Sequence, residues 1–176
     1  MTCYIDYYTH IIKEDVFTRK NINITIEKIS MNVGFQNATH NKKDLLMPIT
    51  GLDLISGQLA KPSYSKIAIA NFNLKKDIAI GCTEKLYGKW KYYFIEKLKI
   101  LTLPAIKELQ NLIKKNLDGY GNYAMGIKDL TFLPEISRQY EKLQILVGMD
   151  LIFNSSTYSS SRIKLILNSF QIPINK

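Results

Sequence analysis

Histidine, cysteine, arginine and tryptophan are all scarce in this chain of 176 residues, which has two His, two Cys, three Arg and one Trp. Each shortage excludes something. His10 and His40 are too few for an imidazole-rich metal centre. His10 and Glu14 would share one helix face, but one such pair falls far short of a ligand set. His40 lies in the polar stretch NATHNKKD (37–44) and reads as solvated. Cys3 and Cys82 lack metal-ligand spacing and read as idle thiols rather than a disulfide, with DIAIGC (77–82) a strand holding a buried Cys. Asp129 and Glu135 flank a short apolar run and read as surface groups. No enzyme, metal or cofactor is expected from this inventory.

Long apolar runs are missing as well. No stretch of about 18 uncharged apolar residues occurs, so no membrane-spanning helix is expected. The start, MTCYIDYYTHIIKED, has no basic region ahead of its apolar residues and does not read as a secretory signal. A cytoplasmic setting, or one inside a particle, is the expectation.

What the chain does have is positive charge, +9 overall. Heavy use of Ile, Lys, Asn and Tyr resembles the output of an AT-rich coding sequence, which inflates lysine. The charge is nevertheless localised. Residues 61–115 hold twelve basic and four acidic side chains, whereas the flanking segments are near balance. A local excess points to an anionic partner better than a uniform one does.

Periodicity outlines an α+β fold. Tyr4, Tyr8, Ile11 and Ile12 predict an amphipathic helix over about 3–15. In NINITIEKISMNVGF the apolar parity flips at Glu27-Lys28, which predicts a strand with a β-bulge. LLMPITGLDLISG is broken by Pro48, Gly51 and Gly57 and predicts short or edge strands. YSKIAIANFNL (64–74) reads as a strand covered on both faces, with DIAIGC as its hairpin partner across Lys75-Lys76. TLPAIKELQNLIKKNLDG predicts a helix over about 103–117 capped by Thr102, with Pro104 in its first turn and Gly119 closing it. GYGNYAMG follows as a loop; Gly119, Gly121 and Gly126 come after a helix rather than before one, the wrong order for a phosphate loop. GIKDLTFLP, KLQILVGMDLIF and RIKLILNSFQIPI predict strands, the last two forming a long C-terminal β-hairpin. The expected architecture is thus a largely antiparallel β-sheet with two helices packed on it, in a single domain over 1–176.

The stretch KKDIAIGCTEKLYGKWKYYFIEKLK (75–99) places seven lysines among five aromatic rings. As a strand, 89–100 puts Lys89, Lys91, Lys97 and Lys99 on one face and Trp90, Tyr92 and Phe94 on the other. As a helix, it aligns Trp90, Phe94, Leu98 and Leu101 and again sends most lysines away. Both readings make the rings core and the lysines surface, which argues against a stacking platform for single strands. Lys66, Lys75, Lys76 and Lys85 are expected to extend that basic interaction surface.

Over residues 97–172 the succession of AIKELQNLIKKNL, GIKDLTFLP and KLQILVGMDLIF resembles the element order of bacteriophage tail terminator and tail-completion proteins. The resemblance implies a ring-forming virion component that stops tail-tube growth and joins tail to neck. It carries over no functional residue. The expected function is therefore a non-enzymatic structural or assembly protein, a homo-oligomer whose partners are subunits of the same particle, with no membrane partner. The alternative is a basic nucleic-acid-associated protein, such as a packaging or ribosome-associated component, that contacts phosphate nonspecifically. A small enzyme or immunity-type binding partner comes third.

Overall fold

The computed structural model describes residues 6–7, 10–11, 25–35, 45–106, 117–143, 147–156 and 158–172. Strand β1 (Ile26–Gly34) leads to helix α1 (Leu46–Ser56), strands β2 (Lys61–Tyr64) and β3 (Ala79–Leu86) and helix α2 (Gly88–Lys97). Strand β4 (Asn122–Ile127), the one-turn helix α3 (Pro134–Ser137), strand β5 (Met149–Ser155) and helix α4 (Ser160–Ser169) follow. The strands form one antiparallel sheet in the order β2-β3-β1-β5-β4, with helices packed on it. The expected α+β class and antiparallel sheet are what the chain adopts.

Two compact units are resolved: Met1–Ser30, Lys85–Met125 and Leu151–Lys176 make one, and Met31–Glu84 with Gly126–Asp150 the other. In the first, α4 buries Ile163, Ile166, Leu167 and Phe170, spaced to share one helix face. At about 1.5–3 kcal/mol for each large apolar side chain, that stripe is what holds the helix down. The Phe170 ring lies 6.2 Å from that of Tyr92 on α2, and Tyr123 lies 6.0 Å from Phe153. In the second unit, Met31, Val33, Leu52, Ile55, Ile127, Leu130 and Ile136 are buried, and α1 packs on α3.

The parity flip in β1 is real. Ile26, Ile29, Met31 and Val33 are buried, and both Glu27 and Lys28 intervene between the first two. In β5, Met149, Leu151 and Phe153 alternate inward as expected.

Several expectations are corrected. LLMPITGLDLISG is helix α1, because Pro48 falls in the first turn, where its missing N–H would have no partner. Residues 64–74 are not a doubly covered strand. β2 ends at Tyr64, and Ile67 and Phe72 are exposed on a long connection to β3. β3 does find an antiparallel partner just before it, but that partner is 61–64, with Pro62 opposite Cys82. The connection between them spans 65–78 rather than a tight Lys75-Lys76 turn. Pro62 is tolerated because β2 is an edge strand.

The predicted 103–117 helix also departs from expectation. Helix α2 runs on through a π-helical turn, Leu98–Thr102, and a short turn, Leu103–Ala105, and ends at Ile106 in an extended conformation. Thr102 is fully buried and helical rather than a cap. Residues 107–116 and most of 3–15, all but 6–7 and 10–11, lie outside the described residues. The expected loop GYGNYAMG supplies β4, and GIKDLTFLP begins at its end and turns into a 3-10 turn, Leu130–Phe132. The C-terminal β-hairpin does not form. RIKLILNSF is helix α4, which ends as Ile172 N–H donates to Leu167 O (3.0 Å) and Gln171 N–H to Asn168 O (2.9 Å).

Candidate nucleic-acid interface

Three of the expected lysines, Lys66, Lys75 and Lys76, are exposed on the 65–78 connection. That connection is held in one shape by Ser65. Its Oγ donates to Lys75 O (2.6 Å) and accepts from Ile78 N–H (3.2 Å), while its own N–H donates to Ile78 O (2.9 Å). Beyond it, Ile69 and Leu74 exchange backbone hydrogen bonds of 2.9 and 3.1 Å, and Asn73 turns the chain in a left-handed conformation. The tip therefore presents cations with Ile67 and Phe72, 71% and 72% exposed, on an ordered support.

Lys85 and Lys89 are exposed too, but the remaining lysines break the expected face. Residues 88–97 are helical, so a lysine at every second position rotates by about 200° each step instead of sharing a side. Lys91 is buried: its Nζ donates to the Ile26 carbonyl and lies 5.0 Å from the Tyr92 ring centroid. Burial holds its ammonium below the usual lysine range, and nearby Glu27 opposes that shift. Lys97 is half-buried, its Nζ 5.8 Å from the Phe94 centroid, and Lys99 is half-buried in the π-helical turn. The rings divide as well. Tyr92 and Phe94 are core, whereas Trp90 (48%) and Tyr87 (53%) are exposed.

A second polar feature escaped the sequence reading. Ser30 on β1 donates to Asn154 Oδ1 (3.4 Å), and Asn154 Nδ2 donates to Asn122 Oδ1 (3.1 Å). Asn122 Nδ2 donates to Asp118 Oδ2 (2.6 Å), while Asp118 Oδ1 accepts from Tyr120 and Asn122 N–H (both 2.9 Å). The bonds from Asn122, foremost its side-chain amide, hold the Asp118 carboxyl below its ordinary range. Ser30, Asn154 and Asn122 are joined across separations of 124 and 32 residues and only meet when β1, β5 and β4 pair. The available signal was strand parity: Ser30 and Asn154 sit on the polar phase of their alternating strands, on the face away from the core.

Among the described residues, catalytic candidates do not assemble. His10 is exposed, while Glu14, His40 and Cys3 lie outside the described residues. Among the described residues, no group of three or more His, Cys, Asp or Glu side chains could hold a metal ion. Cys82 is fully buried in β3, and burial, with a smaller contribution from Asp53, pushes its thiol up to about 11. Gly119 and Gly121 are left-handed turn positions leading into β4. No described helix is long and apolar enough to cross a membrane.

These features define an α+β protein with a row of linked polar side chains across its strands and exposed cations on a loop and at strand and helix ends. Residues 79–174 match the C-terminal part of the ribosomal L5 family. The chain is 34% identical over 175 residues to the large ribosomal subunit protein uL5m of Reclinomonas americana, covering 97% of this chain and 96% of that one. It is 35% identical over 161 residues to uL5 of Clostridium kluyveri (90% and 88%) and 32% identical over 181 residues to uL5 of Buchnera aphidicola subsp. Schizaphis graminum (100% and 100%). The chain belongs to the ribosomal L5 family.

That membership overturns the resemblance to phage tail terminators, and with it the ring-forming homo-oligomer and the virion setting. Shared element order misled because it carried no motif, and RIKLILNSF supplies a helix where a strand was expected. The family is one of ribosomal proteins, not enzymes, which agrees with the expected absence of catalysis.

Proposed function

We infer that this chain is a structural component of a large ribosomal subunit that contacts ribosomal RNA through backbone phosphates. One observation carries the reading: the alignment to large-subunit proteins runs over nearly the whole chain, 97% in one case. The nucleic-acid-associated alternative thus replaces the tail-assembly reading.

The surface supports it. Exposed Lys66, Lys75 and Lys76 on a braced loop supply charge at low ordering cost. The Ser30–Asn154–Asn122 row offers donors and acceptors suited to sugar and phosphate oxygens. With three arginines in the chain, bidentate base readout has little provision, so backbone contact dominates.

The test is binding of purified protein to transcribed large-subunit ribosomal RNA across a salt series. Affinity should fall log-linearly with salt, and replacing Lys66, Lys75 and Lys76 together by Ala should lower the slope by roughly 2–3. Binding indifferent to salt, or no binding, would remove the reading.

A further inference from the structure

The rings at the start of α2 are placed against the logic of a soluble helix. Tyr87 and Trp90 are about half exposed, although Tyr92, Phe94 and Ile95 on the same helix fill the core. Trp90 is braced rather than loose, its ring meeting that of Tyr93 edge-on at 6.2 Å and 69°. Gly88, at φ +56, separates an extended Tyr87 from the first helical turn. Glycine takes that conformation at the least cost, and a Cβ there would meet nothing within 4 Å, so the preference is conformational and not one of space. The kink lets Tyr87 continue the outward parity of Lys85 on β3, while Lys89 and Trp90 follow it around the helix start.

Two exposed rings and two exposed lysines lie within six residues of chain, 85–90, with no acidic residue in the first turn of α2. Exposed aromatics alone would fit any apolar partner. The adjoining cations select an aromatic ligand that carries negative charge, which is a nucleotide with its base unstacked.

We propose that Tyr87, Lys89 and Trp90, with Lys85, form a stacking site for an unpaired nucleobase whose flanking phosphates meet the two lysines. The site rests on the ribosomal RNA contact inferred above, and specifies unpaired RNA as what this part of the chain takes. A duplex buries its bases and cannot occupy it.

Trp90 is the sole tryptophan, so its fluorescence reports the site directly. The full chain would be titrated with single-stranded oligoadenylate, with an oligoadenylate–oligouridylate duplex, and with large-subunit ribosomal RNA. Anisotropy of labelled RNA would be followed in parallel for Trp90→Ala, Trp90→Phe and Lys89→Ala. The expected result is quenching of Trp90 by the single strand, about tenfold weaker binding in Trp90→Ala, and substantial rescue in Trp90→Phe. Ribosomal RNA bound without quenching, with Trp90→Ala binding as tightly as wild type, would overturn the stacking site and leave the RNA contact standing. Equal quenching by duplex and single strand would also overturn it. Failure to bind ribosomal RNA at all would remove both readings. The wild-type quenching measurement stands on its own if Trp90→Ala does not fold.

Discussion

The Lys91 ammonium donates a hydrogen bond to the backbone carbonyl of Ile26, 65 residues earlier in the chain. A cation is thereby spent inside the fold, tying α2 to the start of β1 beside the Tyr92 ring. The same residue, read as surface, would have belonged to the RNA-facing set.

Removing Lys91 should therefore cost stability, not RNA affinity. Lys91→Ala loses a charged hydrogen bond and the packing of the stem, and is expected to destabilise by about 1.5–3 kcal/mol. Lys91→Met keeps most of the volume and should lose less. Urea titrations of both variants, set beside their ribosomal RNA affinities, check the expectation; a drop in affinity without a drop in stability would contradict it.

Alkaline pH should set two buried groups against each other. The Cys82 thiol, pushed up to about 11 from 9.0, releases its proton more easily when unfolded, so its contribution is intact below pH 9 and is lost as pH rises through 11. Lys91 is shifted downward and has the opposite sign, stability from it increasing as pH approaches 10.5. Unfolding free energy measured from pH 8 to 11 should fall less steeply in Cys82→Ala than in wild type, and more steeply in Lys91→Met. In a Cys3→Ser background, Cys82 should react with maleimide only after denaturant is added.

Gly81 marks a close approach between strands. A Cβ there would lie 2.6 Å from the Val33 carbonyl oxygen, a backbone atom that cannot step aside, whereas a Cβ on Gly34 meets nothing within 4 Å. Gly81→Ala is expected to destabilise by about 1–3 kcal/mol, and Gly34→Ala to stay within about 0.5 kcal/mol. Thermal melts of the two variants side by side decide it.

Ser65 braces the basic loop. Ser65→Ala removes bonds to Lys75 O and Ile78 N–H, and should cost about 1–3 kcal/mol locally. Amide exchange at Asp77 and Ile78 should quicken while the amides of β1 keep their protection. Ribosomal RNA affinity should weaken modestly, since the loop must then be ordered on binding.

Element by element, the legible part of this fold is the part with a single unambiguous period. Ile29, Met31 and Val33 in β1, and Met149, Leu151 and Phe153 in β5, alternate over enough residues to fix which face is buried. The Ser30–Asn154 contact follows from that parity once the strands pair, but nothing local says that they do.

Where two periods coexist, local pattern is silent. In RIKLILNSF, Ile163, Leu165 and Leu167 alternate like a strand, yet Ile163, Ile166, Leu167 and Phe170 also make a helical stripe. The second pattern buries the large Phe170 against Tyr92 and leaves Leu165 half-buried, a balance known only when α2 is in place.

The sequence by itself determined the class of fold and the charge excess in 61–115, because composition and long periodicities need no partner to express them. Tertiary structure alone decided which of the lysines and rings in KWKYYF face solvent. The rotational phase of a helix is set by what it packs against, so Lys91 and Tyr92 turned inward and Trp90 out.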